Sequence, residues 1–229
     1  MARFSRLRVY RDMLQVGLVP LFHHDDPEVA LEVVRACAAG GCRLVEFTNR
    51  GDFAHEVFAV LERTCRRELP EVVLGAGSVI DPATAALYLN LGAAFVVAPS
   101  FSPEVARVCN RRKVAYLPGC ATVTEIGAAE EAGCEIVKLF PGDAVGGPGF
   151  VKALRGPSPW TRAMPTGGVE PTEESLGAWF SAGAACVGMG SKLITKELVE
   201  ARDFDGLAAK VRATLEIVAR CRPSVEEVA

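Results

Sequence analysis

One lysine lies in an otherwise apolar segment between Glu135 and Pro141 that has the length and composition of a buried strand. Burying an ammonium group costs free energy unless its charge is paired, used or lost. Ile136 and Phe140 should desolvate Lys138 and lower its pKa, leaving a neutral amine that can attack a carbonyl carbon and form a Schiff base. Lys138 is therefore the first candidate catalytic residue. The alternative is a lysine at a strand end that reaches solvent or pairs with a carboxylate.

A carboxylate and a guanidinium group accompany the second apolar segment. The strand period of two places Glu46 on the same face as Leu44 and Thr48, where partial burial would raise its pKa and suit it to general acid/base work. Its alternative is a salt bridge to Arg50 or Lys138. Arg50 offers a planar fork that can bind a substrate carboxylate at two points, unless it is simply an exposed loop arginine.

Small and polar residues also close the third and fourth apolar segments. Gly75 and Gly77 would allow a ligand to approach the backbone closely, and the Ser78 hydroxyl can hydrogen-bond a ligand oxygen. Pro99 closes the fourth segment and is assigned to the same predicted substrate-binding set. The prediction that these residues bind substrate therefore depends on their shared position at strand ends.

Two glycine-rich turns follow the seventh and eighth apolar segments. Gly167 and Gly168 form one, and Gly190 and Ser191 belong to the other. Barrels of parallel strands often bind phosphate at these two strand ends through backbone amides, so we predict a phosphate site; plain tight turns are the alternative. Lys192 could steady the phosphate or be a solvated surface lysine.

Composition excludes several classes of protein. The chain has 229 residues, 50% of them hydrophobic, and a net charge of −3, so no global positive field attracts nucleic acid or an anionic membrane.

Eight dispersed cysteines and only three histidines argue against a metal site and for reduced core thiols in a cytoplasmic protein. His23 and His24 are expected to be a solvated loop or helix-capping feature. Neither a Walker nor a dinucleotide motif is present, so no cofactor is predicted.

Eight β-like segments alternate with segments of helical periodicity. This alternation requires parallel strands with right-handed crossovers and predicts an α/β fold, a (β/α)8 TIM barrel, as a single domain over 1–229. An extra amphipathic helix within 1–16 should cover the bottom of the barrel, and 222–229 should be a frayed tail. The predicted strands are Val16 to Phe22, Arg43 to Thr48, Val72 to Ala76, Ala94 to Ala98, Val114 to Pro118, Glu135 to Phe140, Ala163 to Thr166 and Ala185 to Gly188.

Several of these motifs together resemble one family, the 2-keto-3-deoxy-6-phosphogluconate (KDPG) and 2-keto-4-hydroxyglutarate (KHG) aldolases. Each motif is modest, but their order and spacing over nearly the whole chain are highly specific. They are Val19-Pro20, the run from Val45 to Arg50, Gly75 to Ser78, Pro118 to Thr122, Val137 to Pro141 and Pro165 to Gly168.

The resemblance implies a class I aldolase on a (β/α)8 barrel, a homotrimer, that uses no metal or cofactor and acts on a small 2-keto acid. It implies that Lys138 is the Schiff-base lysine and Glu46 the general acid/base. Ser78 stands where the family commonly has a threonine, and it keeps the hydroxyl. The resemblance further implies that Arg50 binds the substrate carboxylate and that Phe140 forms an aromatic wall of the pyruvate pocket. It implies that the Thr166 hydroxyl lies near the bond that breaks. The residues that it implies for phosphate binding are Gly167, Gly168, Gly190 and Ser191.

Departures from the family pattern leave the substrate open between KDPG, KHG and the C4 epimer 2-keto-3-deoxy-6-phosphogalactonate (KDPGal). Asn49 replaces a common leucine, and Lys192 replaces a tryptophan often found in the phosphogluconate enzymes. Two other classes also stay open. One is a phosphate-binding isomerase or synthase with Glu46 as base, and the other is a silent barrel that binds a keto acid or serves in assembly.

Overall fold

The structure is a computed structural model that describes residues 2–222. The predicted frayed tail therefore lies outside the described residues except for Arg222. The chain alternates strands and helices along nearly its whole length. In chain order the elements are α1 (Arg6–Val16), β1 (Leu18–Phe22), α2 (Pro27–Ala39), β2 (Leu44–Thr48), α3 (Ala54–Glu68), β3 (Val73–Gly77), α4 (Pro82–Leu91), β4 (Phe95–Val97), α5 (Pro103–Arg112), β5 (Ala115–Leu117), β6 (Gly119–Cys120), α6 (Val123–Glu131), β7 (Val137–Leu139), α7 (Gly147–Arg155), β8 (Ala163–Pro165), α8 (Glu173–Ser181), β9 (Val187–Met189), α9 (Lys196–Glu200) and α10 (Phe204–Cys221).

All paired strands are parallel and form two sheets that curl around the core. One sheet has the order β5-β4-β3-β2-β1-β9 and the other the order β6-β7-β8. A single residue, Pro118, separates β5 from β6, and an isolated parallel bridge joins Thr166 after β8 to Gly188 of β9. Consecutive parallel strands need a crossover between them, and the intervening helices provide it. The result is an α/β fold with a parallel sheet curled into a half-barrel.

The fifth predicted strand corresponds to β5, but a short strand that the sequence did not predict, β6, follows it directly. β5 pairs with β4, and β6 pairs with β7. Pro118 lies between them and has no N–H to donate to a ladder, although its carbonyl accepts a hydrogen bond from the Lys138 N–H at 2.8 Å. Pro118 thus marks the boundary between the β4–β5 pairing and the β6–β7 pairing, and its carbonyl oxygen binds the backbone of Lys138 at this boundary.

Local sequence signals explain where the helices begin. Asp26 and Asp81 each cap a helix through a side-chain oxygen, followed directly by proline at the first helical position. Thr122 and Glu125 form a complete capping box at the start of α6. These caps fix where each loop ends, and the loops before them carry the polar residues that follow the strands.

α1 lies at the amino ends of the strands and is held there by polar contacts. Asp12 of α1 accepts hydrogen bonds from Arg8 and from Arg43, the residue before β2. Arg8 also pairs with Glu71 just before β3. One connected cluster of buried apolar side chains then extends from Phe4 to Val218. None of the helices in the described part of the chain is long and apolar enough to cross a membrane.

Candidate active site

Lys138 is buried inside the sheet, as its apolar neighbours predict. It lies in β7, in register with Gly119 of β6 and Met164 of β8, and only 6% of the residue is exposed. Its Nζ lies 4.5 Å from the centre of the Phe140 ring. Burial lowers the pKa of Lys138 from its ordinary value of 10.5, the negative charge of Glu46 opposes this change, and the positive charge of Arg50 adds to it.

Glu46 lies in β2 and is almost completely buried, with 1% of the residue exposed. Burial raises the pKa of Glu46 above its ordinary value of 4.5, while the positive charges of Lys138 and Arg50 lower it. Its Oε2 has no hydrogen-bond partner among the described residues, and a Cβ at Gly77 would overlap the carboxylate. The sheet therefore holds a buried carboxyl oxygen without a hydrogen-bond partner among the described residues, and the charge of this carboxyl group influences the pKa of Lys138.

Thr166 provides a second buried polar atom without a partner. It follows β8 and bridges to Gly188 of β9, with 5% of the residue exposed. Among residues 2–222, its Oγ1 finds no hydrogen-bond partner, and a Cβ at Gly188 would overlap that oxygen. A buried hydroxyl usually has a partner, so Thr166 is available to bind a polar group of a ligand.

A cavity of about 700 Å³ opens at the carboxyl ends of β1, β2, β7, β8 and β9. It brings together most of the residues that the sequence predicts for substrate and phosphate. Those that line it are Arg50, Phe140, Thr166, Gly167, Gly168, Gly190 and Ser191. Lysines 192 and 196 add positive charge to the wall and Glu200 adds a negative one. An anionic ligand would meet more positive than negative side chains here.

Four predicted site residues do not line this cavity: the catalytic candidates Lys138 and Glu46, and the substrate-binding candidates Ser78 and Pro99. Ser78 is half-buried between β3 and α4 and has a left-handed backbone with φ of 57°. Pro99 is half-buried, and its carbonyl packs so closely on Gly119 that a side chain there would overlap it. The glycines of the third segment also serve a different purpose from the predicted one. A Cβ at Gly75 would overlap the Phe95 ring, so that glycine makes room for the core and not for a ligand.

The two departures from the family pattern occupy different environments. Asn49 does not line the cavity, and its side-chain oxygen accepts a hydrogen bond of 2.8 Å from the buried Tyr88 hydroxyl. Lys192 does line it and pairs with Glu170 at 2.7 Å, although 60% of the lysine side chain is exposed. Asn49 is thus a structural partner of α4, and the charge of Lys192 is already paired.

Sequence reasoning missed several residues of the cavity wall. His23 and His24 were expected to be a solvated loop or capping feature, yet both line the cavity with Lys196. His24 does take part in the cap region, because its Nδ1 accepts a hydrogen bond from the Asp26 N–H at 3.0 Å. Their position directly after β1 is the signal that could have identified them, because residues that follow the carboxyl ends of parallel strands form the site in such barrels.

The residues present suit an organic substrate. Within residues 2–222, no group of three or more histidine, cysteine, aspartate or glutamate side chains is arranged to hold a metal ion. A buried lysine with a lowered pKa can form an imine with a ketone, an adjacent carboxyl group can transfer protons, and Arg50 can bind a carboxylate. The arrangement therefore fits a 2-keto acid that reacts at its carbonyl carbon.

This chain is similar in sequence and in fold to known proteins. A family model for aldolases, described as KDPG and KHG aldolase, matches residues 9–210. A 2-dehydro-3-deoxy-phosphogluconate aldolase of Pseudomonas aeruginosa is 35% identical over 91% of this chain and 92% of its own length. Members of this family are aldolases, a class of lyase.

Solved structures agree with the family match. The KDPG aldolase of Legionella pneumophila, with pyruvate captured at low pH as a covalent carbinolamine intermediate, aligns with a TM-score of 0.82 at 26% identity, covering 90% of this chain and 97% of that chain. A structure described as native KDPGal aligns with a TM-score of 0.77 at 30% identity, covering 90% and 97% respectively. Together with the match over residues 9–210, this similarity shows that the chain belongs to the KDPG and KHG aldolase family.

Proposed function

We propose that this chain is a class I aldolase that cleaves KDPG to pyruvate and glyceraldehyde 3-phosphate, or 4-hydroxy-2-oxoglutarate to pyruvate and glyoxylate, or both. The observation that carries the proposal is the burial of both Lys138 and Glu46, which lowers the pKa of the amine and raises the pKa of the carboxyl group. These shifts favour the neutral amine that imine formation needs and a carboxyl group able to exchange protons.

The proposed reaction begins when the Lys138 amine attacks the C2 carbonyl carbon of the substrate. Loss of water from the carbinolamine leaves an iminium ion, which accepts the electron pair of the C3–C4 bond as that bond breaks. Glu46, directly or through a water, removes the C4 hydroxyl proton, so C4 leaves as an aldehyde. The remaining enamine of pyruvate is protonated at C3, and hydrolysis of the imine releases pyruvate and restores the amine.

Other residues would bind and orient the substrate. Arg50 is proposed to hold the carboxylate beside C2, and Phe140 to form an apolar wall next to the amine, which its ring approaches within 4.5 Å. The unpaired Thr166 hydroxyl would bind near the bond that breaks. Ser78 and Pro99 are also proposed as substrate contacts, and like Lys138 and Glu46 they lie outside the set of residues that line the cavity.

A phosphate on the substrate would bind at the two turns after β8 and β9. Gly167 and Gly168 have positive φ of 90° and 73°, and Gly168 has no room for a side chain because Asp143 packs against it. Gly190 and Ser191 line the same cavity. Glycines leave backbone amides uncovered, and amides are suitable donors to phosphate oxygens.

The alternative substrate is KDPGal, because a structure described as native KDPGal aligns at 30% identity. A pyruvate-release assay over KDPG, KDPGal and 4-hydroxy-2-oxoglutarate tests reaction and substrate together. We expect release from KDPG, from 4-hydroxy-2-oxoglutarate or from both. Release from KDPGal alone would favour the epimer. Pyruvate from none of the three would contradict the aldolase proposal and favour an isomerase or a silent keto-acid-binding barrel.

We also propose that the strands close into a (β/α)8 barrel as one domain with α1 beneath it, and that the chain works as a cytoplasmic homotrimer. The short Pro118 break and the bridge from Thr166 to Gly188 support closure, and the continuous apolar core supports one domain.

Two exposed apolar side chains after neighbouring strands, Phe53 and Ile80, support association into a trimer. The eight unpaired cysteines support a reducing compartment.

A further inference from the structure

The loop after β1 contains a histidine that the proposed mechanism does not use. His23 lines the cavity together with Arg50, and 22% of its side chain is exposed. Its ring packs against the buried Phe47 ring, with centres 5.6 Å apart and planes inclined at 47°. His23 is therefore a fixed part of the cavity wall and not a freely solvated side chain.

One ring nitrogen of His23 reaches the turn that carries Arg50. His23 Nδ1 lies 3.2 Å from the Thr48 carbonyl oxygen, and the Arg50 N–H donates to the same oxygen at 2.9 Å. Since a carbonyl oxygen can only accept, Nδ1 must carry a hydrogen to make this bond. The two donors together hold the backbone on the amino side of Arg50.

The other ring nitrogen is held by a carboxylate. His23 Nε2 lies 2.9 Å from Asp25 Oδ1, and this oxygen is also an acceptor. Each ring nitrogen therefore has an acceptor oxygen within hydrogen-bond distance. The next residue after Arg50 also faces this pair, because a Cβ at Gly51 would lie 3.6 Å from Asp25 Oδ1 and 3.8 Å from His23 Nε2. His23 and Asp25 thus contact the chain on both sides of Arg50.

We propose that His23, oriented by Asp25, is a positioning residue that fixes the turn from Thr48 to Gly51 and so aims the Arg50 guanidinium at the carboxylate of a 2-keto acid. This inference rests on the proposed function, in which Arg50 binds that carboxylate. Losing the bond from Nδ1 should loosen the turn and weaken ground-state binding of the substrate, while the groups around Lys138 stay in place.

The strand pairing does not depend on His23, so variants at this position should fold. β1 and β2 pair directly, with Leu21 opposite Glu46 and Phe22 opposite Phe47. The Thr48 hydroxyl adds a bond of 3.2 Å to the Phe22 carbonyl oxygen. These contacts join the carboxyl ends of the two strands whether or not the imidazole is present.

Two isosteric substitutions separate the roles of the ring nitrogens. His23→Asn keeps an N–H donor near the Nδ1 position, and His23→Gln keeps one near the Nε2 position. We expect His23→Gln to raise KM for the cleaved substrate about tenfold with kcat within about threefold, and His23→Asn to stay within about threefold of wild type in both. His55→Gln, a half-buried histidine of α3 outside the cavity, is the matched control.

Equal KM values for the two His23 variants, whether raised or unchanged, would overturn the proposal, and so would a loss confined to kcat. If His23→Gln does not fold, Asp25→Ala tests the same idea by removing the partner that orients the ring. We expect the pyruvate concentration for half-maximal borohydride trapping to rise about threefold in Asp25→Ala, and an unchanged value would overturn the proposal. Wild-type protein that neither releases pyruvate nor is trapped would instead contradict the proposed function.

Discussion

At the residue scale, the central feature is a lysine and a glutamate that alter each other's protonation. Lys138 and Glu46 are both buried, and burial opposes the charged form of each. Their mutual attraction acts in the other direction and keeps either from being an isolated buried charge. Burial is the main influence on the pKa of Lys138 and lowers it, while the charge of Glu46 raises it and so reduces the amount of neutral amine at a given pH.

This coupling predicts the effect of Glu46→Gln on imine formation. Removing the negative charge removes an influence that raises the pKa of Lys138, so the lysine should lose its proton at a lower pH than in wild type. We expect the midpoint of the pH dependence of pyruvate-dependent borohydride trapping to shift to lower pH. We expect kcat for cleavage to fall by about 10²–10⁴-fold, since a general acid/base is lost.

Glu131→Gln, an exposed residue of α6, is the matched control and should leave both quantities unchanged. A midpoint that moved to higher pH in Glu46→Gln would contradict the coupling between Glu46 and Lys138. Cleavage at the wild-type rate in that variant would remove Glu46 from the proposed mechanism.

At the element scale, glycines in the strands make room for the polar side chains of the site. A side chain at Gly77 of β3 would overlap the Glu46 carboxylate, and one at Gly188 of β9 would overlap the Thr166 hydroxyl. Neither glycine has the positive φ that would require glycine for backbone reasons. Each is therefore needed for space, which couples strand packing directly to the position of a functional group.

Gly77→Ala tests this dependence on space. The added methyl must displace the Glu46 carboxylate, so we expect a loss of about 1–3 kcal/mol in the free energy of unfolding and at least about a tenfold loss of kcat. Gly127→Ala is the control, because nothing lies within 4 Å of its Cβ position in α6, and it should stabilise the protein by about 0.5–1 kcal/mol. Urea unfolding and steady-state cleavage measure both effects, and an active, stable Gly77→Ala protein would contradict the account.

Much at the element scale could be predicted from the sequence. Apolar runs bounded by turn residues identify every strand except β6 to within about two residues, and capping signals identify the starts of α2 and α4. β6 was missed because two residues carry no periodicity. The role of Gly77 was predicted as close ligand approach and not as space for Glu46, since a glycine that makes room for a distant side chain looks the same in sequence as one that admits a ligand.

The residues of the candidate site could be proposed from the sequence only where strand ends coincide with unusual residue types. Lys138, Glu46 and Arg50 stand out because charged residues rarely interrupt or close apolar strands. His23 does not stand out, because its contacts with Thr48 and Asp25 depend on how two loops meet. The geometry of a cavity wall is long-range information that spacing along the chain does not contain.

At the scale of the whole molecule, we predict association into a trimer. The chain mass is 24.3 kDa, so three copies have a mass of about 73 kDa. Phe53 and Ile80 are 67% and 66% exposed after the neighbouring strands β2 and β3, and burying them would be favourable. We expect light scattering after gel filtration to give about 73 kDa, and Ile80→Asp to reduce it.

Leu7 provides the matched control for this experiment. Leu7 is 79% exposed and belongs to α1, which lies at the amino ends of the strands, whereas Ile80 follows the carboxyl end of β3. Leu7→Asp should keep the wild-type mass. A wild-type mass near 24 kDa would contradict the trimer, and an equal effect of both substitutions would contradict an interface at the loops after β2 and β3.

The central claim is that Lys138 forms an imine with a 2-keto acid, and borohydride trapping tests it most directly. Protein incubated with pyruvate and sodium borohydride should gain the mass of pyruvate less one water plus two hydrogens, and peptide mass spectrometry should locate it on Lys138. Lys138→Met should fold and gain nothing, whereas Lys152→Met, at an exposed position of α7, should react like wild type. An unmodified wild-type protein, or an adduct on another lysine, would contradict the account.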